Sequence, residues 1–513
     1  MMAEFNRVDC TSLDVSRLDA EYYGNVYVEN AELIEKSSTS LTLEEMRERS
    51  TPIRRGIDMP QFVENESSPK MVTIASFDEP GIQFDQLKRV SLEQHNAFKG
   101  SHIQPDDLLV AMGGYAGKAA ICPQDTENCN IGRHTARIKI DPTIADARYI
   151  WAFITCRIGT LQFERYVTGS VQAGINLEDI RNIKISVPCP EAQKYIGDKV
   201  RQAELLRAWA KRLALSIEDL LTSSDDYLSA CRTPEKKITR PQLIDLSNRL
   251  DPKYYGNKAI AVHRFTRKTG TPLAALIKSV ANGFEERSFI ENGLAYITVS
   301  EVSSGRLDAQ SAPKISKSID VPQKAVIHET CVLVVRTGSI GTAVKVHALD
   351  KGCTISSHLI RLEFEDEETA AAVAVFLNSS AGKVLLHKIS YGAVQPQIGQ
   401  EELLALNIPE YVLNEKTQYL ALLNSYELAI RASKSLTVSA KNLVESLIEG
   451  QLTEQQLIQA QQALEDGDNS LDQAILSKLS AEGYAIEGAT PLFSDVDELY
   501  SLLEDAAQAE AEE

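Results

Sequence analysis

The sequence predicts an α+β protein: two pseudo-repeated mixed α/β domains, an antiparallel pair of long coiled-coil helices separating them, and an acidic helical C-terminal tail. Three observations carry this prediction. A glycine-turn segment and its surroundings occur twice, 224 residues apart. Each copy runs into a long stretch of heptad-spaced apolar residues. After the second stretch, residues 451–513 hold 15 Asp+Glu against a single Lys.

The duplication is clearest at Val332-Leu333-Val334-Val335-Arg336-Thr337-Gly338-Ser339-Ile340-Gly341-Thr342-Ala343, which overlies Leu108-Leu109-Val110-Ala111-Met112-Gly113-Gly114-Tyr115-Ala116-Gly117-Lys118-Ala119. Gly114 falls under Gly338 and Gly117 under Gly341, each after a short apolar run, the form of a buried strand entering a tight turn. At the same offset His134 matches His358 and Arg137 matches Arg361. One residue of slip later, Gly169-Ser170-Val171-Gln172 matches Gly392-Ala393-Val394-Gln395. Near the start of each half, Arg17-Leu18-Asp19-Ala20-Glu21-Tyr22-Tyr23-Gly24-Asn25 answers Arg249-Leu250-Asp251-Pro252-Lys253-Tyr254-Tyr255-Gly256-Asn257. The offset far exceeds the roughly 20–50 residues of a solenoid repeat and suits a complete domain plus a connector. A pseudo-twofold chain of this kind suits a target that itself has two separated parts.

The elements then follow in order. Residues 1–188 form the first domain, with Tyr22, Tyr23 and Tyr27 packing onto its core. Its strands are expected at Met71-Val72-Thr73-Ile74, Leu108 to Ala111, Ala136 to Ile140 and Ile183 to Val187, with a helix over Ala147 to Phe163. Pro188-Cys189-Pro190 ends the last strand, and Glu191 puts acid in the first turn of a helix over 189–224. Its apolar positions Ile196, Val200, Ala203, Leu206, Ala210, Leu213, Ile217 and Leu220 step by four and three. At 1.5 Å per residue that helix is on the order of 45–50 Å long. Residues 225–240 read as a connector, and 241–409 as the second domain. That domain has strands near Leu294 to Val299, Cys331 to Val335, Thr342 to Val346 and His358 to Phe364, and a helix from Glu368 to Ser379. A second long helix occupies 410–450, with a seam at Leu422, Tyr426, Ala429, Ser433, Leu436, Ala440, Leu443 and Leu447 in which only Ser433 is polar. Residues 451–513 read as a solvated acidic extension with amphipathic pieces, disordered from Ala506 onward, with a partner-docking or self-shielding element as the alternative.

Composition is that of an ordinary globular protein, 43% hydrophobic and 24% charged. No run reaches the roughly 18 apolar residues of a membrane span, and the N-terminus lacks a basic-then-apolar signal. The eight cysteines are scattered, with no C-x-x-C pair and no zinc spacing, so they are expected to be reduced and inert in a cytoplasmic, metal-free chain. Of the net charge of -19, the tail holds -14 and the remainder only -5, which leaves room for basic faces on the body.

Gly338-Ser339-Ile340-Gly341, Gly392-Ala393-Val394-Gln395-Pro396-Gln397-Ile398, Pro188-x-Pro190-Glu191-x-Gln193 and the helix end Leu443 to Gly450, in an order met twice, closely resemble the specificity subunit of type I restriction-modification systems over roughly residues 15–450. The turn at Met112-Gly113-Gly114-Tyr115 is a looser version, Ala173-Gly174 stands for Pro396-Gln397, and the tail exceeds the usual ending. The resemblance implies two target recognition domains, each reading half of a bipartite site in double-stranded DNA. It implies that the paired helices set half-site separation and dock two copies of a DNA adenine-N6 methyltransferase subunit. A motor-nuclease subunit joins where the system restricts. No cofactor is expected in this chain; S-adenosylmethionine, ATP and Mg belong to the partners.

Reading a half-site requires phosphate contacts for register and base-edge contacts for sequence, with Arg at guanine and Gln or Asn at adenine the commonest pairings. The first-half candidates are Tyr115, Lys118, Arg133, His134, Ser170 and Gln172; the second-half candidates are Arg336, Ser339, Lys345, His358, Tyr391, Gln395 and Gln397. The matched glycines would let backbone N–H groups approach phosphate. Each has a plainer reading as well: turn glycines, core histidines, glutamines that brace their own loop.

Enzyme signatures fail at the motif. Gly113 to Ala119 has Met112 where a P-loop needs its first glycine and Ala119 where Ser or Thr should hold magnesium. No Asn-Pro-Pro-Tyr or Asp-Pro-Pro-Tyr segment is present, and His328-Glu329-Thr330-Cys331-Val332 lacks a second histidine. A non-catalytic chain is expected. A DNA-independent protein scaffold and a stand-alone DNA-binding repressor remain as alternatives.

Overall fold

The computed structural model describes residues 13, 17, 19–84, 87–124, 126, 128–169, 173–392 and 394–512. It divides into two units, residues 1–209 with 429–513 and residues 210–428.

In the first unit, strand β1 (Leu108–Ala111) and strand β2 (Thr135–Ile138) form the centre of a four-stranded antiparallel sheet, flanked by Arg54–Arg55 and Ala119–Ile121. Val110 lies opposite Ala136. All four residues of β1 are buried, which accounts for a continuous rather than alternating apolar run. A second sheet pairs Lys70–Val72 in parallel with Cys129–Ile131, Met71 facing Asn130. The helix expected over 147–163 is in fact two, Ala147–Thr155 and Arg157–Glu164, broken at Cys156. The Cys156 Sγ accepts the Gly159 amide at 3.5 Å and so caps the second helix. Gly159 is required there, because an added Cβ would run into the Phe153 carbonyl.

The second unit repeats the plan. Strand β3 (Cys331–Val335) pairs with strand β4 (Leu359–Phe364), Val334 opposite Ile360, between Ile277–Asn282 and Ala343–Lys345. Both members of that central pair are the first unit's residues plus 224. Tyr296 faces Thr354 in the corresponding parallel pair. The helix expected to end at Ser379 is followed at once by another, Glu367–Asn378 then Ser380–Ile389, with Ser379 Oγ accepting the Gly382 amide at 3.1 Å. An added Cβ on Gly382 would likewise meet the Phe376 carbonyl. The segment 225–240, expected to be a plain connector, carries the helix Asp225–Cys231, whose Tyr227 is buried in this core.

The boundary between units falls within two 33-residue helices, α1 (Pro190–Thr222) and α2 (Lys416–Ile448). The second does not begin at 410: a short helix, Glu410–Asn414, comes first. In the first unit Ile196, Val200, Ala203, Leu206, Ala429, Leu436, Ala440 and Leu443 are fully buried. The lone polar seam residue has partners: Ser433 Oγ donates to the Ala203 carbonyl at 2.9 Å and accepts from Arg207 Nε at 3.1 Å. In the second unit Leu213, Ile217, Leu220, Leu422 and Tyr426 are half-buried, and the Tyr411 hydroxyl donates to the Leu221 carbonyl at 3.0 Å.

The tail overturns the expectation of a solvated extension. Helices Glu454–Glu465, Ser470–Leu476 and Val496–Ala511 are folded into the first unit, with Leu457, Ala460, Leu476, Leu499 and Ala506 buried. Residues 506–511, expected to be disordered, belong to the last of them. Its acid is not all solvated either: Asp472 is buried 2.7 Å from Lys199 of α1. Among the described residues, no single helix is long and apolar enough to cross a membrane.

Candidate nucleic-acid interface

In the first unit three loops meet beyond the end of β1. The Met112 amide donates to the His134 carbonyl at 2.7 Å, joining the glycine turn to the turn before β2. The Ile175 amide donates to the Met112 carbonyl at 2.8 Å and the Gly114 amide to the Ala173 carbonyl at 3.1 Å, which seats the end of the Gly169 loop on the same turn. That loop closes on itself through a reciprocal pair between Thr168 and Gly174, at 2.9 and 3.0 Å.

The second unit makes the same bonds. Arg336 donates to His358 at 2.9 Å, Ile398 to Arg336 at 2.9 Å, and Gly338 to Pro396 at 3.3 Å. The pair Tyr391 and Gln397 closes the loop at 2.9 and 2.8 Å. Turn residues correspond at 224 and loop residues at 223, so the slip seen in the sequence is preserved in the hydrogen bonding.

The repeated tyrosine motif braces this edge. Arg17 grips Asp19 through both carboxylate oxygens at 3.0 Å while the Tyr23 hydroxyl donates to the Arg17 carbonyl at 2.8 Å. Arg249 and Asp251 do the same at 2.8 and 2.9 Å, with Tyr255 on the Arg249 carbonyl at 2.7 Å. Arg249 then donates to the carbonyls of Ile389 and Ser390, fixing the backbone just before Tyr391. The hydrogen bonds from each arginine hold the Asp19 and Asp251 carboxyls below their ordinary range. Burial, and then Arg249, push the Lys388 ammonium down to about 8; its Nζ donates to the Tyr254 carbonyl at 2.9 Å.

Of the candidates in the first unit, Tyr115, Arg133 and His134 are exposed, with Arg133 Nε 2.9 Å from His134 Nε2. Lys118 is half-buried and donates to the Ile74 carbonyl at 3.3 Å. Ser170 and Gln172 lie outside the described residues. In the second unit Ser339, His358, Tyr391 and Gln395 are exposed, while Gln397 and Arg336 are partly covered, Arg336 reaching the Ser357 carbonyl at 3.3 Å. Lys345 is not presented outward: its side chain is 6% exposed and its ammonium is paired with Glu367 at 2.9 Å. Gly114 and Gly338 serve as turn glycines, with φ of 76° and 94° and open space where a Cβ would stand. Their amides donate to the carbonyls of Ala173 and Pro396.

A groove of about 850 Å³ opens beside the first of these edges, lined by Ile57, Met59, Met71, Gly114, Arg133 and His134 among others. Arg54 and Arg55, exposed on the strand beside β2, lie on the same sheet. Met59, Arg54 and Arg55 were not among the expected contacts: at the repeat offset stand Gly283, Lys278 and Ser279, so only Arg54 has a basic counterpart, and an isolated basic pair just before Asp58 was the available signal.

Residues 64–212 match the family profile described as type I restriction modification DNA specificity domain. The type I restriction enzyme EcoBI specificity subunit of Escherichia coli is 23% identical over 152 residues, 30% of this chain. The match spans about a third (31%) of that subunit's length. Among solved structures, the type I restriction-modification S subunit from M. genitalium gives a TM-score of 0.45 at 12% identity, covering 80% of this chain and 95% of that one. The HsdS subunit from Thermoanaerobacter tengcongensis gives 0.27 at 15%, covering 81% and 98%.

Proposed function

We propose that this chain, whose residues 64–212 match the type I restriction modification DNA specificity domain profile, is the DNA-recognition subunit of a type I-like restriction-modification or methylation-linked phage-defence complex. The observation that carries the reading is the duplicated loop network: one hydrogen-bonded scaffold, built twice, presents Arg133 and His134 in one unit and Ser339, His358 and Gln395 in the other. Two similar readers with different exposed side chains suit a bipartite site with unlike halves.

The target recognition domains are 1–188 and 241–409, with α1 and α2 as spacer helices and 225–240 connecting α1 to the second domain. An antiparallel arrangement of the helices is supported by Ala203 meeting Ser433, while the later Leu221 shares a core with the earlier Tyr419. At 33 residues each, the helices are about 50 Å long. Two adenine-N6 methyltransferase subunits dock on them, bringing S-adenosylmethionine, and a motor-nuclease subunit brings ATP in systems that restrict. The chain is cytoplasmic and contributes sequence choice rather than chemistry. Reading DNA requires only fixed hydrogen-bond donors, acceptors and positive charge at a groove, and the loop edges supply these.

Co-expression with the cognate methyltransferase and methylome sequencing tests the reading. Adenine methylation at a split motif with an undefined spacer is expected; methylation at a continuous motif contradicts it. Affinity for duplex DNA should also fall steeply from roughly 50 to 200 mM salt through counterion release, whereas a protein scaffold would show no binding to lose.

A further inference from the structure

We propose that Met59 is a base reader of the first recognition domain, touching the C5-methyl group of a thymine in the major groove. The proposal rests on the DNA-recognition reading and deepens it. Met59 is 83% exposed, whereas Ile57 and Met71, which line the same groove, are buried. Its φ of 55° lies in the left-handed region that residues with side chains seldom occupy. Such a conformation persists only where its surroundings hold it, and here Gln94 does so. Gln94 Nε2 donates to the Met59 carbonyl at 3.0 Å, and its Oε1 accepts the Gln61 amide at 2.7 Å.

The neighbouring charge is arranged around the residue before Met59. Asp58 lies 3.6 Å from the guanidinium groups of both Arg55 and Arg133, each about half exposed. An exposed apolar side chain thus follows an acid flanked by two arginines and lines a groove that also holds Arg133 and His134. The combination calls for a ligand with an apolar group flanked by negative charge. Duplex DNA offers it: phosphates border the major groove, and the thymine methyl is the apolar group on a base edge there. Methionine, with three rotatable bonds, can settle onto that methyl without close pre-fitting.

The test uses the full chain in complex with its methyltransferase and duplexes in which each thymine of the first half-site is replaced, one at a time, by deoxyuridine, which removes only the methyl group. At one position, wild-type binding should weaken about fourfold, equivalent to one buried methyl at about 0.8 kcal/mol. Met59→Ala should bind the natural duplex with a similar loss and be indifferent to deoxyuridine at that position, while Met59→Leu keeps the sensitivity. Wild-type indifference at every thymine of that half-site, or retained sensitivity in Met59→Ala, overturns the assignment and leaves the DNA-recognition reading standing. If the wild-type complex does not prefer its own half-sites to unrelated DNA, that reading falls and the assignment falls with it.

Discussion

Replacing Asp472 with alanine tests whether the acidic tail is a structural part of the first unit. The carboxylate and the Lys199 ammonium, each 1% exposed, are 2.7 Å apart. The carboxylate also accepts the hydroxyls of Tyr195 and Tyr500, both at 2.5 Å. Burial works against its charge, yet Lys199 and the two hydroxyls outweigh burial and hold its pKa below the ordinary 3.8. Alanine strands the ammonium, and removing one partner of a buried pair costs about 3–5 kcal/mol. At 1.4 kcal/mol per factor of ten, local opening should become at least about a hundredfold more frequent. Hydrogen exchange of helices Glu454–Glu465 and Ser470–Leu476 reads that opening directly. The double variant Lys199→Met/Asp472→Leu, with no charge left to strand, should recover most of the protection. Because the folded pKa is depressed, the stabilisation is present above the unfolded value and is lost as pH falls through the folded one. Wild-type protection should therefore drop below about pH 4, and Asp472→Ala should lack that step. Unchanged protection in Asp472→Ala, or a double variant as labile as the single, refutes the reasoning.

Three further outcomes are expected. Deleting one heptad from α1 shortens the spacer by about 10 Å and should change the preferred spacing of a methylated split motif while leaving both half-motifs intact; altered half-motifs in the methylome would contradict the spacer role. Gly382→Ala drives a Cβ into the Phe376 carbonyl and should lower stability by about 1–3 kcal/mol, measured by calorimetry, with no change argued to mean that the helix break at Ser379 relaxes freely. Lys388, pushed down to about 8 from 10.5, holds fewer protons folded than unfolded between those values. Stability should therefore rise with pH across that window, and calorimetry on Lys388→Met should show the rise gone.

Much of the fold was legible because a duplicated scaffold must repeat whatever its backbone depends on. Gly114 and Gly338 recur because the turn after the central strand needs a positive φ. Gly159 and Gly382 recur because two helices abut there without room for a side chain, although a continuous apolar pattern hid both breaks. The heptads were legible for a similar reason: burial along a helix imposes its period on the sequence. Even Ser433, odd in the pattern, sits where the seam places it and borrows the Ala203 carbonyl.

What a side chain does at the surface obeys no such period. Arg55 and Arg54 pair with Ala136 and Arg137, places that Ala281 and Asn282 take opposite Arg361 and Ile360 in the second unit, so the repeat has no basic pair there. Lys345 stands close in sequence to an exposed turn, but Glu367 holds it inside. Asp472 looks like any acid in an acidic tail until Lys199, far away in the chain, is found beside it. The amino-acid order by itself determined the repeated strand-and-turn plan, the two long helices and the loops that meet beyond each central strand, since local backbone geometry and burial leave periodic traces. Which of the charged and polar groups on that plan face outward was decided only by tertiary structure, because a charge has no intrinsic role until its neighbours either neutralise it or leave it to the solvent.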